Sequence, residues 1–199
     1  MDSSIASKPP NRRKEEKKVE GDRFMFGFTV FLLSESMVFF SLILSYIILR
    51  LGASQWLPPG VSGPQLSGEI VLNTVVLLSS SFVIYFAERA LEKRNLWLFR
   101  LLWLTTSIMG AYFLVGEIKE WLGLNFGIDT GLVGGTFYLL TGFHGLHITI
   151  GILLQMIMLV RSFILGNYRG GSYGVSAVSL FWHFVDVIWV LLFSLLYLW

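Results

Sequence analysis

The chain contains five apolar runs of about 20 residues or more, enough for each to cross a hydrocarbon core of roughly 30 Å as a helix. The runs are Phe24–Leu49, Ile70–Ala90, Trp97–Val115, Leu132–Val160 and Ala177–Trp199. A helix satisfies its own backbone hydrogen-bonding groups, which hydrocarbon cannot do. The sequence therefore predicts an all-α polytopic membrane protein, folded as a bundle of five transmembrane helices.

Composition supports the membrane class and excludes several others. The chain is 54% hydrophobic and 14% charged, whereas soluble domains carry about 25% charged residues. It contains no cysteine, so disulfides, thiolate metal sites and iron–sulfur clusters cannot form within it. The net charge of +2 comes from basic residues in short loops beside helix ends. This placement favours a role in topology and lipid headgroup contact, and we expect no nucleic-acid partner.

The basic residues alternate strongly between the two sides of the predicted bundle. If the N-terminal tail lies inside, only Arg50 and Lys119 fall outside, and thirteen of the fifteen Lys and Arg fall inside. Positive charge is retained on the inner side during insertion. We therefore predict an inside N-terminus and an outside C-terminus.

Two regions differ in character along the chain. Residues 1–22 are charged and contain two prolines, so they are predicted to form a disordered cytoplasmic tail. Residues 23–199 are predicted to form the five-helix transmembrane domain. No internal repeat is visible at a fixed period.

Glu35 is the most informative polar residue, because it falls near the middle of the first run among apolar neighbours. Ionisable groups inside a membrane are expensive and mark functional sites by default. One hypothesis is a protonatable carboxyl beside a proton path; the other is a packing group with one interhelical hydrogen bond. His147 is the partner that we favour.

Other ionisable residues lie in the last two runs. His144 and His147 share a helix face at a spacing of three, as do His183 and Asp186. We predict a buried polar network of these four residues that fixes helix packing. A haem held by histidines of the fourth and fifth helices is an alternative, and no metal site is predicted.

Several residues are predicted to lie near the membrane surface. Glu117 and Glu120 follow the third run and are expected to be interfacial. Trp182, Trp189 and Arg161 are assigned to lipid or interface contact, although packing within the bundle explains the two tryptophans most economically.

Five segments resemble subunit III of the haem–copper respiratory oxidases, one in each helix and in the family's order. They are FLLSESMVFF (31–40), LNTVVLLSSS (72–81), AYFLVGEIKEW (111–121), GFHGLHITIG (142–151) and FWHFVDVIWVLLF (181–193). The resemblance covers roughly residues 23–199 and corresponds to the five-helix bacterial form. In it, Glu35 matches the family's carbodiimide-reactive carboxylate, whereas Glu117 stands where the family often has Gln.

The resemblance implies a non-catalytic subunit of a proton-pumping cytochrome c oxidase, an enzyme complex of aerobic respiratory electron transport that reduces oxygen to water. Haem and copper would lie in partner subunits, and this chain would carry no cofactor. It would pack on subunit I, support proton uptake, bind phospholipids and accompany subunit II and a small subunit IV. The location would be the bacterial cytoplasmic membrane or another energy-transducing membrane.

Three alternatives stay open at this point. The first is subunit III of a quinol oxidase, since the family includes both branches. The second is a haem-b membrane anchor that uses the histidines of the fourth and fifth helices. The third is a small proton-coupled transporter that uses Glu35 and Asp186, which the lack of repeated halves disfavours.

Overall fold

The computed structural model describes residues 10–164, 168 and 172–199, and within them it is all-helical. The helices are α1 (Pro10–Gly52), α2 (Gly68–Glu92), α3 (Leu96–Gly123), α4 (Gly131–Arg161) and α5 (Tyr173–Tyr197). Each is long and apolar enough to cross a membrane. The predicted class and the predicted number of spans are therefore confirmed.

The helices extend beyond the apolar runs at several ends. Helix α1 begins at Pro10, so residues 10–22, which were predicted to be disordered, are helical; residues 1–9 of the predicted tail lie outside the described residues. Helix α3 continues to Gly123, eight residues beyond its predicted end. Charged side chains such as Glu and Lys are good helix formers, so loss of hydropathy marks the end of an apolar run without ending the helix.

The connection between α2 and α3 is a tight hairpin. The amide of Asn95 donates to the carbonyl of Ala90 at 2.9 Å, and that of Arg94 donates to Leu91 at 2.9 Å. Arg94 has a φ of 57°, the left-handed conformation that commonly ends a helix in this hydrogen-bond pattern. The Asn95 side chain then accepts from the amide of Leu98 at 3.1 Å and caps α3.

Helix α5 is the most buried of the five spans. Helices α2, α3, α4 and α5 form a closed arrangement in which each packs on the next, and α1 lies outside it against α4 and α5. The core side chains include the fully buried Trp103, Trp182 and Trp189. Helix α1 contributes Leu32, Phe39 and Tyr46, buried at a spacing of seven residues, which is the narrow seam of a helix that packs along one side only.

Candidate functional site: a membrane-embedded Glu–His pair and its polar surroundings

Glu35 and His147 meet between α1 and α4. Glu35 lies midway along the apolar span of α1, within the seam that Leu32 and Phe39 define. Its Oε2 lies 3.1 Å from Nε2 of His147. The histidine side chain is 7% exposed and the glutamate side chain 23%. The predicted hydrogen bond between these two residues is confirmed.

The hydrogen bond made by the second ring nitrogen of His147 determines which atoms of this pair can carry a proton. Its Nδ1 lies 2.8 Å from the carbonyl oxygen of Phe143, and because a carbonyl only accepts, Nδ1 must carry hydrogen. A neutral imidazole then offers a bare Nε2 to Glu35. A hydrogen bond between them requires one further proton, either on Glu35 or on Nε2. In both forms the pair is neutral overall, and the proton can shift along a 3.1 Å contact.

Aromatic rings surround the histidine of this pair. Phe39 and Phe143 contact the ring of His147 edge-on, with centroids 4.9 Å and 4.8 Å away, and Phe181 stacks on it at 6.2 Å. These contacts hold the imidazole in place without offering it another hydrogen-bond partner. The site therefore has one polar partner on α1 and an apolar wall from α1, α4 and α5.

His144 does not join a hydrogen-bond network, so that part of the prediction is wrong. It is fully buried, and among the described residues neither ring nitrogen has a hydrogen-bond partner. The ring instead stacks on Trp189, with centroids 5.0 Å apart, and meets the edge of Phe113 at 5.9 Å. His147 follows it by three positions on α4, yet His147 pairs with a carboxyl whereas His144 packs among aromatic rings.

His183 and Asp186 form a second, separate polar cluster, which α2 completes. The hydroxyl of Ser81 lies 3.0 Å from Nδ1 of His183 and donates to Oδ2 of Asp186. Asp186 is buried, whereas His183 is only half-buried. The serine stands between the other two residues, unlike the Ser–His–Asp order of a nucleophilic triad. The cluster therefore links α2 to α5 and does not present a nucleophile. Sequence reasoning missed Ser81, since one of three consecutive serines carries no distinguishing signal.

Trp182 and Trp189 lie in the protein core, so their assignment to lipid or interface contact is wrong. Their exposed fractions are 0% and 2%. Each indole donates to α2, Trp182 to the hydroxyl of Ser80 at 2.8 Å and Trp189 to that of Thr74 at 3.1 Å. Arg161 ends α4 and is exposed, and its interface role stays a prediction.

Glu117 is also placed differently from the prediction. It is 5% exposed and lies inside α3, so its side chain packs within the bundle and does not present a surface to lipid or water. Glu120, one turn further along α3, is half-buried and accepts a hydrogen bond from the hydroxyl of Tyr197 at 2.6 Å. Within the described residues, no three His, Cys, Asp or Glu side chains come together as a metal-ligand group. Of the ionisable side chains described above, Glu35, His183, Asp186 and Glu120 bond a side chain of another helix, whereas His144 has no hydrogen-bond partner in the described part of the chain.

The fold and these pairs define a class: a polytopic helical membrane protein whose interior carries hydrogen-bonded, protonatable side chains between helices. The model of the family described as "Cytochrome c oxidase subunit III" matches residues 13–199. The chain belongs to the cytochrome c oxidase subunit III family.

Similar proteins span distant organisms. The chain is 42% identical to cytochrome c oxidase subunit 3 of Thermostichus vulcanus, over 87% of this chain and 86% of that protein. It is 41% identical to the protein of the same name in Synechocystis, over 89% and 76% of the two chains. The corresponding protein of Papio hamadryas is 34% identical, over 87% and 69%. The family resemblance derived from five sequence segments is thus confirmed over nearly the whole chain.

Proposed function

We propose that the chain is a non-catalytic subunit of a proton-pumping terminal oxidase that takes electrons from cytochrome c and reduces oxygen to water. Haem and copper belong to partner subunits in this proposal, and the chain stabilises subunit I beside subunit II and a small subunit IV. Family membership and the names of the relatives support the oxidase and its cytochrome c branch. Phospholipids cover the remaining apolar surface.

The proposed role of Glu35 is to support proton uptake into the oxidase. The observation that carries this role is the Glu35–His147 contact, which holds one transferable proton within a membrane span. The carboxyl is also the more exposed partner of the pair. It can therefore exchange a proton with a neighbouring subunit or with water, while His147 stays fixed in the bundle.

The proposed location is the bacterial cytoplasmic membrane or another energy-transducing membrane, with the N-terminus inside. The distribution of Lys and Arg supports this orientation. Because the chain has no native cysteine, single cysteines at the exposed positions Ser62 and Lys93 report topology without background. A membrane-impermeant maleimide added to right-side-out cells should label position 62 and not position 93. The opposite labelling would contradict the orientation.

The test of Glu35 compares two substitutions in the assembled oxidase. Glu35→Gln keeps a donor for Nε2 of His147 but cannot exchange a proton, whereas Glu35→Ala removes both properties. We expect both variants to assemble, and both to show slower proton uptake or a shorter active lifetime during continuous turnover. Ser41→Ala is the control, since Ser41 lies on the exposed face of the same helix and bonds only its own backbone.

Two outcomes separate proton exchange from packing. If Glu35→Gln behaves like the wild type while Glu35→Ala loses subunit III from the complex, Glu35 has a packing role alone. If quinol but not cytochrome c supports turnover of the purified wild-type complex, the quinol branch replaces the proposed one. A haem spectrum that stays with this chain after subunit separation would support the haem-anchor alternative instead.

A further inference from the structure

A second carboxyl, Glu117, is buried in the bundle without a charged partner. It is 5% exposed, and among the described residues it takes part in no ion pair. Its Oε1 has no hydrogen-bond partner. Leaving a buried acceptor unsatisfied costs about 1–3 kcal/mol, and more for a charged group. Something of suitable chemistry is therefore expected at Oε1.

Two glycines leave the space that the carboxyl of Glu117 and the side chain of Asn73 occupy. A Cβ on Gly145 of α4 would lie 2.8 Å from Oε2 of Glu117, so the carboxyl rests directly on the α4 backbone. A Cβ on Gly116 would lie 1.8 Å from Nδ2 of Asn73, so that glycine admits the Asn73 amide beside α3. These positions bring the carboxyl of Glu117 and the carboxamide of Asn73 to the same gap, which is lined by residues of α2, α3 and α5.

A small cavity lies at this gap and shares lining residues with an open cavity at the loop end of the bundle, which we define by residues 53–67 and 124–130. The small cavity measures about 10 Å³ and is lined by the polar side chains of Glu117, Glu120 and Asn73, together with apolar side chains. A cavity of roughly 10–15 Å³ with two to four polar partners is what one buried water requires. Ile70, Asn73 and Glu120 also line an open cavity of about 360 Å³ on the loop side.

Aromatic rings form the end of the small cavity that lies farther from the loops. Phe113 and Trp189 line the small cavity, and both rings pack against His144. Glu117 contacts α4 at Gly145, whereas Glu35 contacts it at His147. Residues two apart on a helix point about 200° away from each other, so the two acids touch opposite faces of α4. The Glu117 site is therefore separate from the Glu35 pair.

Polar and titratable groups of all four surrounding helices lie at or near the Glu117 site. Asn73 of α2, Glu120 of α3 and Trp189 of α5 line the small cavity together with Glu117. Glu69 and Lys119 line the outer cavity, His144 of α4 stacks on Trp189, and Tyr197 donates a hydrogen bond to Glu120. Lys119 is exposed at the mouth of the outer cavity, and Glu120 is already bonded to Tyr197. Without a cation at contact distance, a neutral carboxyl that donates to water satisfies the site best.

We propose that Glu117 binds one proton and one buried water, and exchanges that proton with the loop end of the bundle past Asn73 and Glu120. The proton comes from water in the outer cavity and returns to it, so no redox partner is needed. Because Phe113 and Trp189 close the inner end, the site holds a proton and does not pass it on to Glu35. The proposal does not depend on the role of Glu35.

Infrared spectroscopy of the purified oxidase tests this proposal directly. A protonated carboxyl has a C=O stretching band distinct from that of a carboxylate, and the band shifts to lower wavenumber when D2O replaces H2O. We expect Glu117→Gln to remove one such band from the wild-type spectrum. Glu69→Gln is the matched control, because Glu69 lines the outer cavity together with Asn73 and Glu120 but is solvent-exposed. It should leave the protonated-carboxyl region unchanged.

A second variant keeps the test decisive if Glu117→Gln does not assemble. Asn73→Leu removes one polar partner of the water and leaves the carboxyl in place. We expect the Glu117 band to move to higher wavenumber and to exchange with D2O more slowly. An identical protonated-carboxyl spectrum in wild type and Glu117→Gln would overturn the proposal, as would a lost carboxylate band that indicates a bound cation. An unchanged band and exchange rate in Asn73→Leu would also overturn it.

Discussion

Helices α1 and α5 have nearly the same hydropathy but opposite places in the fold. The most apolar windows of the two spans have mean hydropathies of 2.0 and 1.9, yet 17% of the α1 window is buried against 50% of the α5 window. Helix α5 packs on three neighbours, whereas α1 packs on two along a single seam. Two helices of nearly equal hydropathy therefore differ in burial: α5 is the more enclosed by other helices, and α1 is packed along one side only.

The polar groups of the two helices differ in the same way. Trp182, Asp186 and Trp189 of α5 all reach α2 through hydrogen bonds between side chains. Helix α1 reaches another span through Glu35, which contacts His147, whereas the hydroxyls of Thr29, Ser36, Ser41 and Ser45 bond the backbone of their own helix. From this contrast we infer that α5 stabilises the bundle through its contacts with α2, whereas α1 carries the Glu35 site and contributes less to the stability of the bundle.

The strongest test of this contrast removes one large aromatic ring from each helix. Trp182→Ala should destabilise the chain by about 3 kcal/mol or more, because it leaves a void in a fully buried position. Phe40→Ala on α1, where the ring is 62% exposed, should have a much smaller effect. Denaturation of the purified complex by a detergent titration measures both. Equal losses of stability in the two variants would contradict the greater burial of α5.

Glycine substitutions test the same contrast through added volume. A Cβ on Gly110 would lie 2.5 Å from the Trp182 ring, so Gly110→Ala should cost roughly 1–3 kcal/mol through overpacking. Gly27 of α1 has nothing within 4 Å of that position. Gly27→Ala should therefore be neutral or stabilise the helix by up to about 1 kcal/mol. The same titration checks both variants, and a loss at Gly27 matching that at Gly110 would argue against an open α1 face.

The smallest expected difference concerns two threonines. The hydroxyl of Thr74 accepts from the Trp189 indole at 3.1 Å, so Thr74→Val should cost about 0.6 kcal/mol, the average for such bonds in membrane proteins. Thr29 of α1 bonds only the Met25 carbonyl of its own helix, and Thr29→Val should cost less. A double-mutant cycle with Trp189→Phe isolates the α5 bond. A coupling energy of zero would show that the hydrogen bond between Thr74 and Trp189 does not stabilise the packing of α5 on α2.

Much of the fold was predictable because hydrophobic runs in this chain are long and well separated. The ends were less so: α3 continues past Val115 through Glu117 and Glu120, since the side chains that stop a hydropathy run are themselves good helix formers. Of the site, the Glu35–His147 contact was predictable from an acid in mid-span and a histidine in another span. The role of Ser81 was not, because its partners lie more than a hundred residues away.

The sequence by itself determined the membrane class, the five spans and the family, because each depends on local composition or on short segments in order. Only the tertiary structure decided that α5 is the most buried span, that Trp182 and Trp189 are core residues and that Glu117 is buried against Gly145. The physical reason is that lipid and protein interior are both apolar, so hydropathy cannot tell a lipid-facing residue from a core residue. That choice depends on shape, on which helices glycine allows to approach and on which polar groups then meet.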